Sequence, residues 1–167
     1  LGDFASGALM NSSVSSVTYS GLITLGSTGP LIKVDYGDIN LTAAGTITGA
    51  TFGLTLGGSG TGTLASIIGT TTGTVTKIGT GTWTLSGQNT FTGATSVYLG
   101  TLKLGANGGA TNSPLGTTGT GTTVYTGAVL DFNGFTMSTA EALTINGRGI
   151  DDGGALIGSN GSFSGAI

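Results

Sequence analysis

The chain has 167 residues, of which 7% are charged and 35 are glycine, with no cysteine and no histidine. Ordinary globular domains carry about 25% charged residues and about 7% Gly, and the missing residue types remove disulfides, thiolate nucleophiles, Cys/His zinc sites and Ser-His-Asp machinery together. The net charge of −3 leaves Lys33, Lys77, Lys103 and Arg148 as the cations, too few for a phosphate-neutralising or lipid-binding patch, so nucleic acid is not an expected partner.

No apolar run approaches the roughly 18 residues of a membrane span, and no direct membrane insertion is expected. The chain opens at Leu1 without an initiator Met or a secretory signal, which leads us to expect a segment of a longer protein. Mean hydropathy is +0.35, above the range of disordered chains, so the segment should fold. Thr and β-branched apolars favour a pleated surface and Gly punctuates corners; residues 1–167 are expected to form a single all-β unit.

From the N-terminus, Gly7-Ala8-Leu9-Met10 and Tyr19-Ser20-Gly21-Leu22-Ile23 are short apolar stretches between turn residues. Residues 26–72 hold a first Gly-Thr-apolar triplet, Gly45-Thr46-Ile47, and a second, Gly62-Thr63-Leu64. The triplet returns at Gly81-Thr82-Trp83, Gly100-Thr101-Leu102 and, more loosely, Gly121-Thr122-Thr123-Val124. A period of about 20 residues with short alternating strands is the length of one coil of a parallel β-helix, whose coils stack at about 4.8 Å. The chain would hold about eight such coils.

Alternation within the coils points Trp83 and Leu85, Val97 and Leu99, Leu102 and Leu104, Leu130 and Phe132, and Leu143 and Ile145 to one side, and these ten residues are the expected interior. Asn107-Gly108, Asn133-Gly134, Asn146-Gly147 and Asn160-Gly161 mark corners, since both residue types tolerate positive φ. Near the C-terminus, Gly154-Ala155-Leu156-Ile157 resembles the opening Gly7-Ala8-Leu9-Met10, and Phe163-Ser164-Gly165-Ala166-Ile167 resembles Tyr19–Ile23. Residues 2–23 and 149–167 are therefore expected to be equivalent parts of successive long repeats.

The clearest motif spans residues 73–105. Lys77-Ile-Gly-Thr-Gly-Thr-Trp-Thr-Leu-Ser-Gly87, then Asn89-Thr-Phe-Thr-Gly93, then Gly100-Thr-Leu102, resembles the autotransporter-associated β-strand repeat, also called the passenger-associated transport repeat. Trp83 stands where that family usually has Leu, and Ala94 where a second Gly is common. The resemblance implies a right-handed parallel β-helix displayed at a bacterial cell surface, with no catalytic residues and no cofactor.

Some parallel β-helices cleave polysaccharides, which requires carboxylates in register or a base beside a calcium site. The acids are Asp3, Asp35, Asp38, Asp131, Glu141, Asp151 and Asp152. Asp35 with Asp38, and Asp151 with Asp152, are the candidate calcium ligands; carboxylates beside glycines more often cap turns. The run Gly57–Gly62 lacks the Lys and the helix of a phosphate loop. The reading is a structural or adhesive rod that associates end to end with neighbouring repeats or with itself. The alternative is a glycan- or host-binding adhesin recognising ligands through loops at 26–45 or 106–120, or through outward Tyr19, Tyr98 or Tyr125; a polysaccharide-active enzyme comes last.

Overall fold

The computed structural model describes residues 7–158 and 160–167; Asp3 and the start of the first repeated segment lie outside the described residues. The chain winds through successive coils. The first carries β1 (Leu9–Asn11) and β2 (Val17–Tyr19), the second β3 (Leu31–Val34), β4 (Asp38–Leu41) and β5 (Thr46–Ile47), and the third β6 (Leu54–Gly58), β7 (Thr61–Leu64) and β8 (Ile67–Ile68). The fourth has β9 (Val75–Lys77) and β10 (Thr82–Leu85), and the fifth β11 (Thr95–Val97) and β12 (Gly100–Leu104), followed by a small antiparallel pair, β13 (Asn112–Ser113) and β14 (Gly116–Thr117). The sixth has β15 (Thr122–Val124) and β16 (Ala128–Asp131), and the seventh β17 (Leu143–Ile145) and β18 (Leu156–Ile157), with a 3-10 turn at Ile150–Asp152 between them.

Two seven-stranded sheets result, ordered β1-β3-β6-β9-β11-β15-β17 and β2-β4-β7-β10-β12-β16-β18. Neighbouring strands in both are parallel. A less regular third face joins β5 to β8 and continues through single parallel bridges at Thr24↔Thr48, Gly108↔Met137 and Met137↔Phe163. Each strand of the two long sheets pairs with its counterpart one coil away, which defines a parallel β-solenoid of about seven coils, in keeping with the expected count of about eight.

In-register stacking turns the alternation of each strand into columns along the axis. Ile39, Gly62, Trp83, Leu102, Leu130 and Leu156 form one inward column of the second sheet, and Leu41, Leu64, Leu85 and Leu104 another. Trp83, Leu85, Val97, Leu102, Leu104, Leu130, Phe132 and Leu143 are all buried, and Ile145 packs partly buried against them. Each large apolar side chain so buried contributes roughly 1.5–3 kcal/mol.

Leu99 departs from the expectation. It is 41% exposed, because β11 ends at Val97 and the chain turns at Gly100, whose φ is 70°; the alternation that runs through Val97 does not survive the corner. The Gly-Thr-apolar triplets are also not all equivalent. Gly81-Thr82-Trp83 and Gly100-Thr101-Leu102 are in register, but Gly62 pairs with Trp83 and Thr61 with Thr82, so the true counterpart in the third coil begins at Gly60. Gly45-Thr46-Ile47 lies on the third face and Gly121-Thr122 at the first sheet. The similar terminal segments also occupy different faces: Leu9 lies in the first sheet and Leu156 in the second.

The register slip at Gly62 has a physical reason. A Cβ built on Gly62 would stand 2.5 Å from three ring atoms of Trp83, so the indole fills the space that its column neighbour leaves open, and its Nε1 donates to the Gly57 carbonyl at 3.1 Å. Gly62→Ala is expected to destabilise the fold by about 1–3 kcal/mol through overpacking. In a Trp83→Leu background the same substitution should have a much smaller effect, and a double-mutant cycle of urea unfolding measures the difference.

Candidate functional surface

The candidate calcium ligands are engaged in local contacts. Asp35 meets Lys33 Nζ at 3.1 Å, and Asp38 accepts from Ser16 Oγ at 2.8 Å. Asp151 and Asp152 sit exposed on the 3-10 turn with φ of 51° and 58°, and Asp152 lies 3.9 Å from Arg148. Asp131 pairs with Lys103 at 3.3 Å and caps the Asn133 amide at 2.7 Å. Among the described residues no three His, Cys, Asp or Glu side chains gather as a metal site.

Two ionisable groups are buried instead. Lys77 occupies an inward column position between Leu56 and Val97. Its Nζ donates to the carbonyls of Ile78 at 2.9 Å, Gly79 at 2.7 Å and Leu99 at 3.0 Å, clamping the corner between the two sheets across successive coils. Loss of hydration lowers its pKa to about 8. In the sequence Lys77 is one of four cations and opens the repeat motif; its alternation with Val75 is the sign of burial that the strand offers. Glu141 is buried beside Thr122, whose Oγ1 donates to Oε1 at 2.5 Å, while Oε2 has no partner. Burial raises its pKa to about 7, against the opposing hydrogen bond from Thr122.

From the third coil to the seventh, the outward face of the first sheet is neutral and hydroxylated. Thr55, Thr76, Ser96, Thr123 and Thr144 stand in one column over five coils. Two residues further along each strand the column reads Ile78, Tyr98, Tyr125 and Asn146, held by backbone bonds from Tyr98 N to Lys77 O, Tyr125 N to Val97 O and Asn146 N to Val124 O. The rings of Tyr98 and Tyr125 stack with centroids 4.3 Å apart and planes 13° apart. The neighbouring Tyr98 hydroxyl raises the pKa of Tyr125. Tyr19 is also exposed, on β2.

The two regions expected to recognise ligands are not simple loops. Residues 26–45 contain β3 and β4 themselves. The middle of 106–120 folds inward: Ser113, Pro114, Leu115 and Gly116 are buried, and Asn89 ties them down through Nδ2 to Pro114 O at 2.6 Å while its Oδ1 accepts from Ile68 N at 2.7 Å. Leu115 joins the core beside Phe91, so this segment closes the side of the solenoid.

Stacked parallel coils with an apolar interior and hydroxyl-rich outer faces define a β-solenoid repeat protein. Residues 75–104, from the start of β9 to the end of β12, match the family model described as passenger-associated-transport-repeat. The chain is also similar to the adhesin BmaC autotransporter of Brucella suis biovar 1 (strain 1330), 51% identical over an alignment of 65 residues, which covers 36% of this chain and 2% of that protein. The chain thus spans a small fraction of the relative's length. No solved structure matches it. No helix among the described residues is long and apolar enough to cross a membrane.

The buried charges make stability pH-dependent with opposite signs. Glu141 keeps its proton in the folded state to about pH 7, above its unfolded value, so the stability it contributes is present at low pH and lost as pH rises through 7. Glu141→Gln is expected to remove that loss, raising stability at pH 8 by on the order of 3 kcal/mol, read from urea midpoints between pH 4 and 8. Lys77 is lowered to about 8, so the unfolded chain holds the extra proton and stability rises between pH 8 and about 10.5. Subtracting the Lys77→Met profile isolates this slope.

Proposed function

We propose that this chain is a rod segment of a surface-displayed autotransporter-like protein, structural in role and extending or forming part of an adhesive passenger at a bacterial cell surface. The observation that carries the reading is the unbroken register of two parallel sheets through seven coils, with the passenger repeat embedded in the middle coils. A solenoid is quasi-one-dimensional, so adding coils adds length without changing cross-section. That geometry suits a spacer or stalk.

The ends support continuation. Among the described residues, β1, β2, β17 and β18 each have one sheet neighbour, leaving backbone groups that template a further strand. At the β1 end a recess of about 490 Å³ opens onto Leu9, Tyr19, Leu22, Ile23 and Leu25, an apolar floor suited to the next coil. Neighbouring repeats stacked end to end are the partners this reading assigns.

A second reading, a host- or glycan-binding adhesin, draws on the similarity to an adhesin. In both readings the segment performs no catalytic step; the local pairing of Asp35, Asp38 and Asp131 supports this assignment. Electron microscopy of the intact parent protein at the cell surface is expected to show a thin rod, with a cross-β spacing along its axis near 4.8 Å. A short compact particle would overturn the rod reading.

A further inference from the structure

The outward face of the first sheet has a chemistry that a plain spacer does not need, and we propose that it is a binding face for a neutral polysaccharide chain lying along the solenoid axis. The hydroxyl column Thr55, Thr76, Ser96, Thr123 and Thr144 presents one donor and acceptor per coil at the strand spacing of about 4.8 Å. Beside it, the stacked Tyr98 and Tyr125 pair adds apolar ring surface with two hydroxyls at its rim; Tyr98 is 47% exposed. Tyr supplies rigid amphipathic contact area with little conformational entropy to lose.

The occupant follows from charge as well as shape. From the third coil to the seventh, neither column contains a charged side chain. Lys33 lies one coil beyond, in register with Gly57 and already against Asp35. A face without cations gives no attraction to acidic polysaccharides, nucleic acid or lipid phosphate. The second sheet differs, since its outward column passes from Thr63 and Thr84 to Lys103 and Asp131. A ligand rich in hydroxyls and C–H faces, and repeating along its own length, matches the first sheet. Each coil offers a weak contact, and a polymer bridging several coils gains affinity by multivalency where a monosaccharide does not. This inference goes beyond the rod reading: a segment that fails to bind polysaccharide is still a rod.

The test is co-sedimentation of the whole 167-residue chain with insoluble cellulose, chitin and a mixed neutral glucan, with alginate gel as the charged counterpart. Retention on at least one neutral polymer and none on alginate is expected. Tyr98→Ala/Tyr125→Ala and, separately, Thr123→Lys should weaken that retention at least tenfold with far-UV circular dichroism unchanged. Tyr36→Ala, at an exposed tyrosine off this face, and Thr82→Lys, on the second sheet, should retain wild-type binding. Three results would overturn the proposal: no neutral polymer retained, equal retention on alginate, or retention unchanged in both first-sheet variants. A further overturning result is concentration-dependent oligomerisation abolished by the same first-sheet variants, which would make the face a contact between copies of this chain.

Discussion

Everything in this molecule depends on backbone hydrogen bonding between coils at matched register. A parallel strand satisfies its amides and carbonyls only if a strand of similar length lies one coil above and another one coil below. Once that is imposed, side chains at corresponding positions must stack on one another. Interior residues become columns and outer residues become ladders, and a single substitution is felt first by its neighbours along the axis. The fit of Trp83 over Gly62 shows this local accounting: a residue too large for its own layer is accommodated because the preceding layer has no side chain there.

The same constraint explains why so much of the fold was legible. Alternation within strands such as Thr82–Leu85 and Gly100–Leu104 fixes which side chains face in, and a recurring Gly-Thr pattern fixes the coil length. What was not legible lies where the coil is not regular. Leu99 obeys the alternation of β11 but lies past its end. The Gly45 and Gly121 triplets look like their counterparts in sequence yet fall on other faces, because two-residue motifs occur at any Gly-rich corner. The inward fold of Ser113–Gly116 depends on Asn89, a residue one coil away, and such a dependence has no signature in a local window.

Charge burial was the other blind spot. Lys77 was read from its motif neighbours, although its place two residues after Val75 already put it on the inward side of the strand. Its three carbonyl partners come from the corner next to it and from the following coil, so the ammonium acts as a rivet between layers where an apolar residue would leave those oxygens to find other donors. Glu141 is harder to foresee. It follows a loop, its hydroxyl partner Thr122 belongs to the preceding coil, and nothing adjacent in sequence announces a buried carboxyl.

The direction of the hydrogen bonds has a mechanical consequence. In both long sheets the bonds between coils run along the solenoid axis, so tension applied end to end pulls each ladder open directly and does not slide strands past one another. The weakest exposed coil gives way first, and its release leaves the next coil in the same position. Each detached coil of about 20 residues lengthens the chain by up to roughly 70 Å when fully drawn out. Under load, a rod built this way yields stepwise, absorbing work one layer at a time while the remaining layers keep their packing.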